Sequence, residues 1–220
     1  LLDEKLVSSG FHKEEPISYQ LFKTYGKYPA PGDRHVGEFF PFFMKQRVLE
    51  EQNYTWKNND FIVVDGWRED ARKQLEYAKE HPEGYETFLE GSGETATDFI
   101  RSLITGENAV EMVNFINRGF IENVPDGIIV EIPTFIDGFG LHPQKIGKLP
   151  EGIAAKCDAL GREYILIVEA AAECSYDKAL QAMYLDPLAA NCDYPKELLD
   201  ALIRANLDLL PSQWGKMIQG

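Results

Sequence analysis

From Glu151 onward, Ala and Leu recur at the 3.6-residue spacing of a single helix face, which commits the C-terminal part of the chain to helices. The pattern divides into Gly152 to Cys174, Asp177 to Leu185 and Tyr194 to Leu210, with Pro187 and Pro211 as punctuation. A sheet must therefore come from earlier residues. Glu111 to Ile116 and Ile128 to Ile132 read as strands, and Pro125-Asp126-Gly127 is a turn signal between them. Upstream, residues 14–28 read as a helix with Ile17, Leu21 and Phe22 on its apolar face, stopped by Pro29 and Pro31. Asp33 reads as the N-cap of a short helix through Phe40. Phe61-Ile62-Val63-Val64 reads as a short strand or buried loop, and Trp67 to Glu80 and Ser92 to Ile104 as helices. With no repeat or flexible linker, the expectation is one α+β domain over residues 1–220, helices around a small mixed or antiparallel sheet.

A formal net charge of −14 argues against nucleic acid or an anionic membrane surface as partner. No apolar run approaches the roughly 18 residues of a membrane span. The longest, around Tyr164 to Val168, is closed by Glu169. Cys157, Cys174 and Cys192 are odd in number and form no CxxC, which fits unpaired thiols in the cytoplasm and disfavours a zinc site. The chain opens Leu1-Leu2-Asp3 without a Met or a signal-peptide pattern, so it reads as a piece of something longer or a processed product.

Gly91-Ser92-Gly93-Glu94-Thr95-Ala96 satisfies the GxGxxG/A dinucleotide fingerprint. The fingerprint needs a buried apolar strand before it, and Tyr85 to Glu90 is half polar with two acids. It reads as a glycine-rich helix start, and no nucleotide fold is expected within the chain. The densest cluster of ionisable groups beside a Pro/Gly loop is Tyr25, Tyr28, Asp33, Arg34, His35 and Glu38. A loop leading into a helix start can place such groups around one concave spot. The plainer alternatives are that Asp33 only caps its helix, Arg34 is a solvated charge and His35 bonds a backbone carbonyl.

The segment Tyr25-Gly26-Lys27-Tyr28-Pro29-Ala30-Pro31-Gly32-Asp33-Arg34-His35, with Glu38-Phe39-Phe40-Pro41, resembles glycoside hydrolase family 4. So do Ser92-Gly93-Glu94, Val113 through Pro125, Val130-Glu131-Ile132-Pro133, Gly147-Lys148-Leu149-Pro150, and Ala179-Leu180-Gln181-Ala182 through Leu185-Asp186-Pro187, in that order. The resemblance is to the family's C-terminal portion, a lactate-dehydrogenase C-terminal-like fold, without its Rossmann domain and metal-binding motifs. It implies hydrolysis of α-glycosides by NAD-dependent oxidation and elimination, with a divalent metal (manganese) and NAD held by the whole enzyme and neither bound tightly by this chain alone. The family is an exception to the two-carboxylate scheme of glycoside hydrolysis. By resemblance, Tyr25 is the base, with Tyr28 as rival, and Asp33 the general acid. Arg34, His35, Glu38 and Asn117 bind substrate, an α-galactoside or, because an Arg fork suits a carboxylate, an α-uronide. Asn117 either faces the pocket or bonds the backbone of its own turn. A homo-oligomer is expected. The competing expectation is a non-catalytic helical fragment for self-association or binding.

Overall fold

The computed structural model describes residues 1–44, 60–81, 95–189 and 192–218. Its N-terminal helices are α1 (Leu2–Ser8), α2 (Phe11–Glu14), α3 (Pro16–Tyr25) and α4 (Asp33–Phe39), followed by a 3-10 turn, Pro41–Met44. Next come α5 (Asp60–Glu80) and α6 (Ala96–Thr105), then strands β1 (Ala109–Ile116), β2 (Ile129–Asp137) and β3 (Gly140–Pro143). The C-terminal helices are α7 (Glu151–Glu173), α8 (Tyr176–Leu185), α9 (Pro195–Ala205) and α10 (Ser212–Met217). The strands form one antiparallel sheet in the order β1-β2-β3. The expected α+β class is therefore the observed one.

Several boundaries differ from the sequence reading, each for a local reason. Helix α3 ends at Tyr25 because Gly26 takes a left-handed φ of 69° and its N–H closes on Phe22 O. The apolar run Phe61 to Val64 is helical, the first turn of α5, and not a strand. The middle strand runs on past Pro133 to Asp137, and β3, unexpected from the sequence, returns after a two-residue loop at Gly138 and Phe139. Pro211, read as a terminator, is instead the N-cap of α10. The Gly91 to Glu94 portion of the GxGxxA segment lies outside the described residues, and α6 begins just after it.

The chain divides into two compact units. The first takes its described residues from 1–44, 113–132 and 143–218, and the second from 60–81, 95–112 and 133–142. In the first unit α7 is the spine, touching three apolar clusters in succession. Ile153 joins the cluster of Ile17, Leu21, Val36, Phe40 and Phe43. Ala154 and Cys157 join Ile121, Val124, Ile128, Val130 and Ile132. Ala170 joins Leu199, Ile203, Trp214 and Ile218. Gly161 is required by close approach, since a Cβ there would stand 2.5 Å from Ile128 Cγ2. In the second unit His142, on β3, pairs with Asp137 at 3.0 Å.

Candidate active site

Helix α3 begins with Pro16, whose fixed φ suits the first helical position, but its own N-cap residue, Glu15, makes no side-chain capping bond to the helix. The missing cap arrives from sixteen residues along the chain. Asp33 is 1% exposed, and its two carboxylate oxygens accept the N–H groups of Ile17 and Ser18, each at 2.7 Å. The cap of α4 is Gly32, so Asp33 caps its neighbour and not, as expected, its own helix. Glu15 in turn accepts the Asp33 N–H. Partial burial pushes the Glu15 carboxyl up; the Asp33 N–H pulls the other way, and the Asp33 carboxyl group adds to the rise.

This clasp sits at one end of α3 and Tyr25 at the other. Tyr25 is half-buried, packs beside Phe40 at 6.5 Å, and lies over the first turn of α7. A Cβ on Gly152 would stand 3.0 Å from Tyr25 Cε1 and 3.3 Å from its hydroxyl, so any larger residue there would make this ring give by a few tenths of an ångström. No hydrogen bond engages the Tyr25 hydroxyl among the described residues. Lys156, one turn further along α7, stands 4.6 Å over the Phe40 ring. Tyr25 thus rests beside a helix N-terminus, where free N–H groups gather partial positive charge.

Tyr28 is held differently. Its ring lies 6.0 Å from both Phe11 and Phe22. Burial pushes its phenol up, with the nearby Ser18 hydroxyl pulling the other way. That approach falls short of hydrogen-bond geometry, and Ser18 Oγ is buried without a partner. On α4, Arg34 occupies the first turn, while exposed His35 faces Glu38 at 3.5 Å. Sequence reasoning missed Gly152, Lys156 and Ser18. Only the Pro150-Glu151-Gly152 helix start carried any signal for the first of them.

Asn117, whose role was open between pocket and turn, belongs to the turn. It is fully buried, and its amide nitrogen donates to Ile121 O at 3.0 Å and Val124 O at 2.6 Å. Its Oδ1 accepts Ile121 N–H at 3.1 Å, while its backbone pairs with Ile128 and Gly127. An Asn so engaged organises the turn that closes β1 onto β2. Among the described residues, no group of three or more His, Cys, Asp or Glu could hold a metal ion. Cys157, Cys174 and Cys192 are unpaired. No helix among the described residues is long and apolar enough to cross a membrane.

The family described as "Family 4 glycosyl hydrolase C-terminal domain" matches residues 2–189. An alpha-galacturonidase of Thermoanaerobacterium saccharolyticum is 31% identical over 184 residues, covering 83% of this chain and 39% of that protein. A solved 6-phospho-alpha-glucosidase from gut microorganisms, in complex with NAD and glucose-6-phosphate, superposes with a TM-score of 0.69 at 26% identity. It covers 88% of this chain and 43% of the other. A second such structure, with NAD and Mn2+, has a TM-score of 0.68 at 20% identity, a likeness of fold; 89% of this chain and 43% of that one align. The chain spans about two fifths of the length of these relatives.

Proposed function

Since the chain belongs to the family 4 glycosyl hydrolases, as their C-terminal domain, we propose that it is the half of an α-glycosidase that receives the sugar and supplies the base. The whole enzyme, in this reading, hydrolyses an α-linked uronide or galactoside in the cytoplasm by oxidation and elimination with NAD. The name of the galacturonidase relative and the Arg34 guanidinium both favour the uronide. Among the described residues no group of three or more His, Cys, Asp or Glu could hold a metal ion, and the roles assigned here are those of this chain's own side chains.

The observation that carries the proposal is the Tyr25 hydroxyl, without a hydrogen-bond partner among the described residues and set over Gly152 at the start of α7. Tyr25 Oη takes the proton from sugar C2, the bonding pair stays on the oxidised sugar as an enolate, and the α7 N-terminus steadies that negative charge. Arg34, His35 and Glu38 on α4 orient the sugar. Asp33 acts as a positioning residue. By capping α3 it fixes the helix that carries Tyr25 at its far end, roughly 15 Å away at 1.5 Å per residue.

The test is exchange of the C2 proton with deuterium oxide, read by NMR in the full-length enzyme supplied with NAD and Mn2+. Tyr25→Phe is expected to slow exchange by about 10²–10⁴-fold, the usual cost of losing a positioned base, while Tyr28→Phe leaves it near wild type. The opposite pattern transfers the role to Tyr28. Exchange that survives both substitutions overturns the tyrosine-base reading.

A further inference from the structure

Away from Tyr25, the second half of α7 and helices α8, α9 and α10 line a half-open cavity of about 300 Å³. Its walls are apolar, including Ile167, Ala182, Met183, Leu199 and Trp214. Two carboxyl groups interrupt them, Glu163 on α7 and Asp186 at the end of α8. Glu163 is 5% exposed, and its Oε2 is buried with no hydrogen-bond partner. Asp186 Oδ1 already accepts the N–H of Ala189 at 2.6 Å. Two acceptors therefore face each other in an apolar pocket. A buried polar atom left without a partner is destabilising, so the arrangement is complete only with a donor between them.

We propose that this cavity is a binding site for a primary alkylammonium, its N–H groups on Glu163 and Asp186 and its chain along Ile167, Met183, Leu199 and Trp214. The ammonium group offers three donors and no acceptor, the complement of two carboxylates. A hard metal ion would need six or more oxygen ligands, which these walls lack. An anionic amphiphile is repelled by the acids, and a hydrocarbon leaves Glu163 Oε2 unsatisfied. The volume is about twice that of a cavity known to hold benzene, which suits a chain of roughly six to eight carbons.

Without ligand, the donor can only be a proton shared by the two acids. Burial, reinforced by Asp186, pushes the Glu163 carboxyl up to about 7. Binding then exchanges one proton for one ammonium: the protonated pair takes up RNH3+ and releases H+ to solvent. The phenol of Tyr164 is the other titrating group that feels both acids, and it too is pushed up, first by burial. The α9 and α10 residues at the cavity, Leu199 and Trp214, do not titrate.

The experiment is calorimetric titration of the chain with n-hexylammonium, n-hexanol and hexanoate, in two buffers of different ionisation enthalpy, at pH 6 and pH 8. Expected are saturable one-to-one binding of hexylammonium, at least about tenfold weaker binding of hexanol, and none of hexanoate. Proton release should be seen at pH 6 and be absent at pH 8, as linkage requires. Glu163→Gln should weaken hexylammonium at least tenfold, and Ala182→Leu, which fills the cavity, should abolish binding. Absent hexylammonium binding, equal affinities for the three ligands, or unchanged affinity in either variant overturns the proposal. If Glu163→Gln fails to fold, the wild-type ligand series and Ala182→Leu still decide it. No glycoside or turnover enters the measurement, so its outcome is independent of the Tyr25 assignment.

Discussion

Removing the Asp33 side chain isolates the clasp between α3 and α4. In Asp33→Ala the N–H groups of Ile17 and Ser18 lose both acceptors while the site remains buried. A hydrogen bond to a charged group contributes about 1.5–3 kcal/mol, and loss of an N-cap alone costs about 0.5–2 kcal/mol. The two bonds serve one cap and do not add fully, so the expected loss is about 2–4 kcal/mol. Asp33→Asn keeps one acceptor oxygen and should lose roughly half as much. Glu15→Gln keeps an oxygen for the Asp33 N–H and removes a like charge beside it, so it should stay within about 0.5 kcal/mol of wild type. Urea denaturation followed by far-UV circular dichroism reads these differences as shifts of midpoint at constant slope. Thermally, 2–4 kcal/mol corresponds to a fall of roughly 5–15 °C for a chain this long. An Asp33→Ala protein within 0.5 kcal/mol of wild type would refute the cap. An Asp33→Asn enzyme with native stability but no turnover would return Asp33 to the role of general acid.

The Glu163 carboxyl binds its proton more tightly folded than unfolded, so between pH 4.5 and about 7 the native state holds more protons. Stability should then be full below that window and fall by on the order of 3 kcal/mol as pH rises through it. Melting curves of Glu163→Gln should lack this slope, and an identical slope in both proteins would refute the assignment. At Gly161, Ala gains about 1 kcal/mol of helix propensity but forces its Cβ against Ile128, an overpacking that costs about 1–3 kcal/mol. Gly161→Ala should therefore be net destabilising, and combining it with Ile128→Ala should cost less than the sum by at least about 0.5 kcal/mol. Strict additivity in that double-mutant cycle would show that the two sites do not touch.

The parts of the fold legible in the sequence were those specified by contiguous residues. The Ala and Leu spacing of α7 and α8 located them to within a residue or two. Glu111 to Ile116 likewise found most of β1. Phe61 to Val64 misled because a four-residue apolar run has no period of its own, and the helix it opens is recognisable only from the polar residues that follow. The clasp at Asp33 was not legible because its donors lie fifteen and sixteen residues upstream, and an Asp after Gly looks the same whichever helix it caps. Asn117 was half legible. Its turn was evident, but whether its amide faced inward depended on the carbonyls of Ile121 and Val124, which no spacing rule locates. The pairing of Glu163 with Asp186 joins two helices and left no local mark.

The contacts of α7 have a consequence for the entropy of folding. Gly152 meets Tyr25, Ala154 and Gly161 face the cluster around Ile128, and Ala170 meets Leu199 and Trp214. None of these four side chains has a rotamer to lose, so fixing them costs backbone entropy alone, where a Leu or Met at each would add about 0.5–2 kcal/mol. The larger partners supply the buried area and bear the ordering cost on the shorter elements. The floor beneath the Tyr25 ring is consequently backbone, which cannot hop between side-chain conformers, and the height of that hydroxyl above α7 is set by covalent geometry and helix hydrogen bonds.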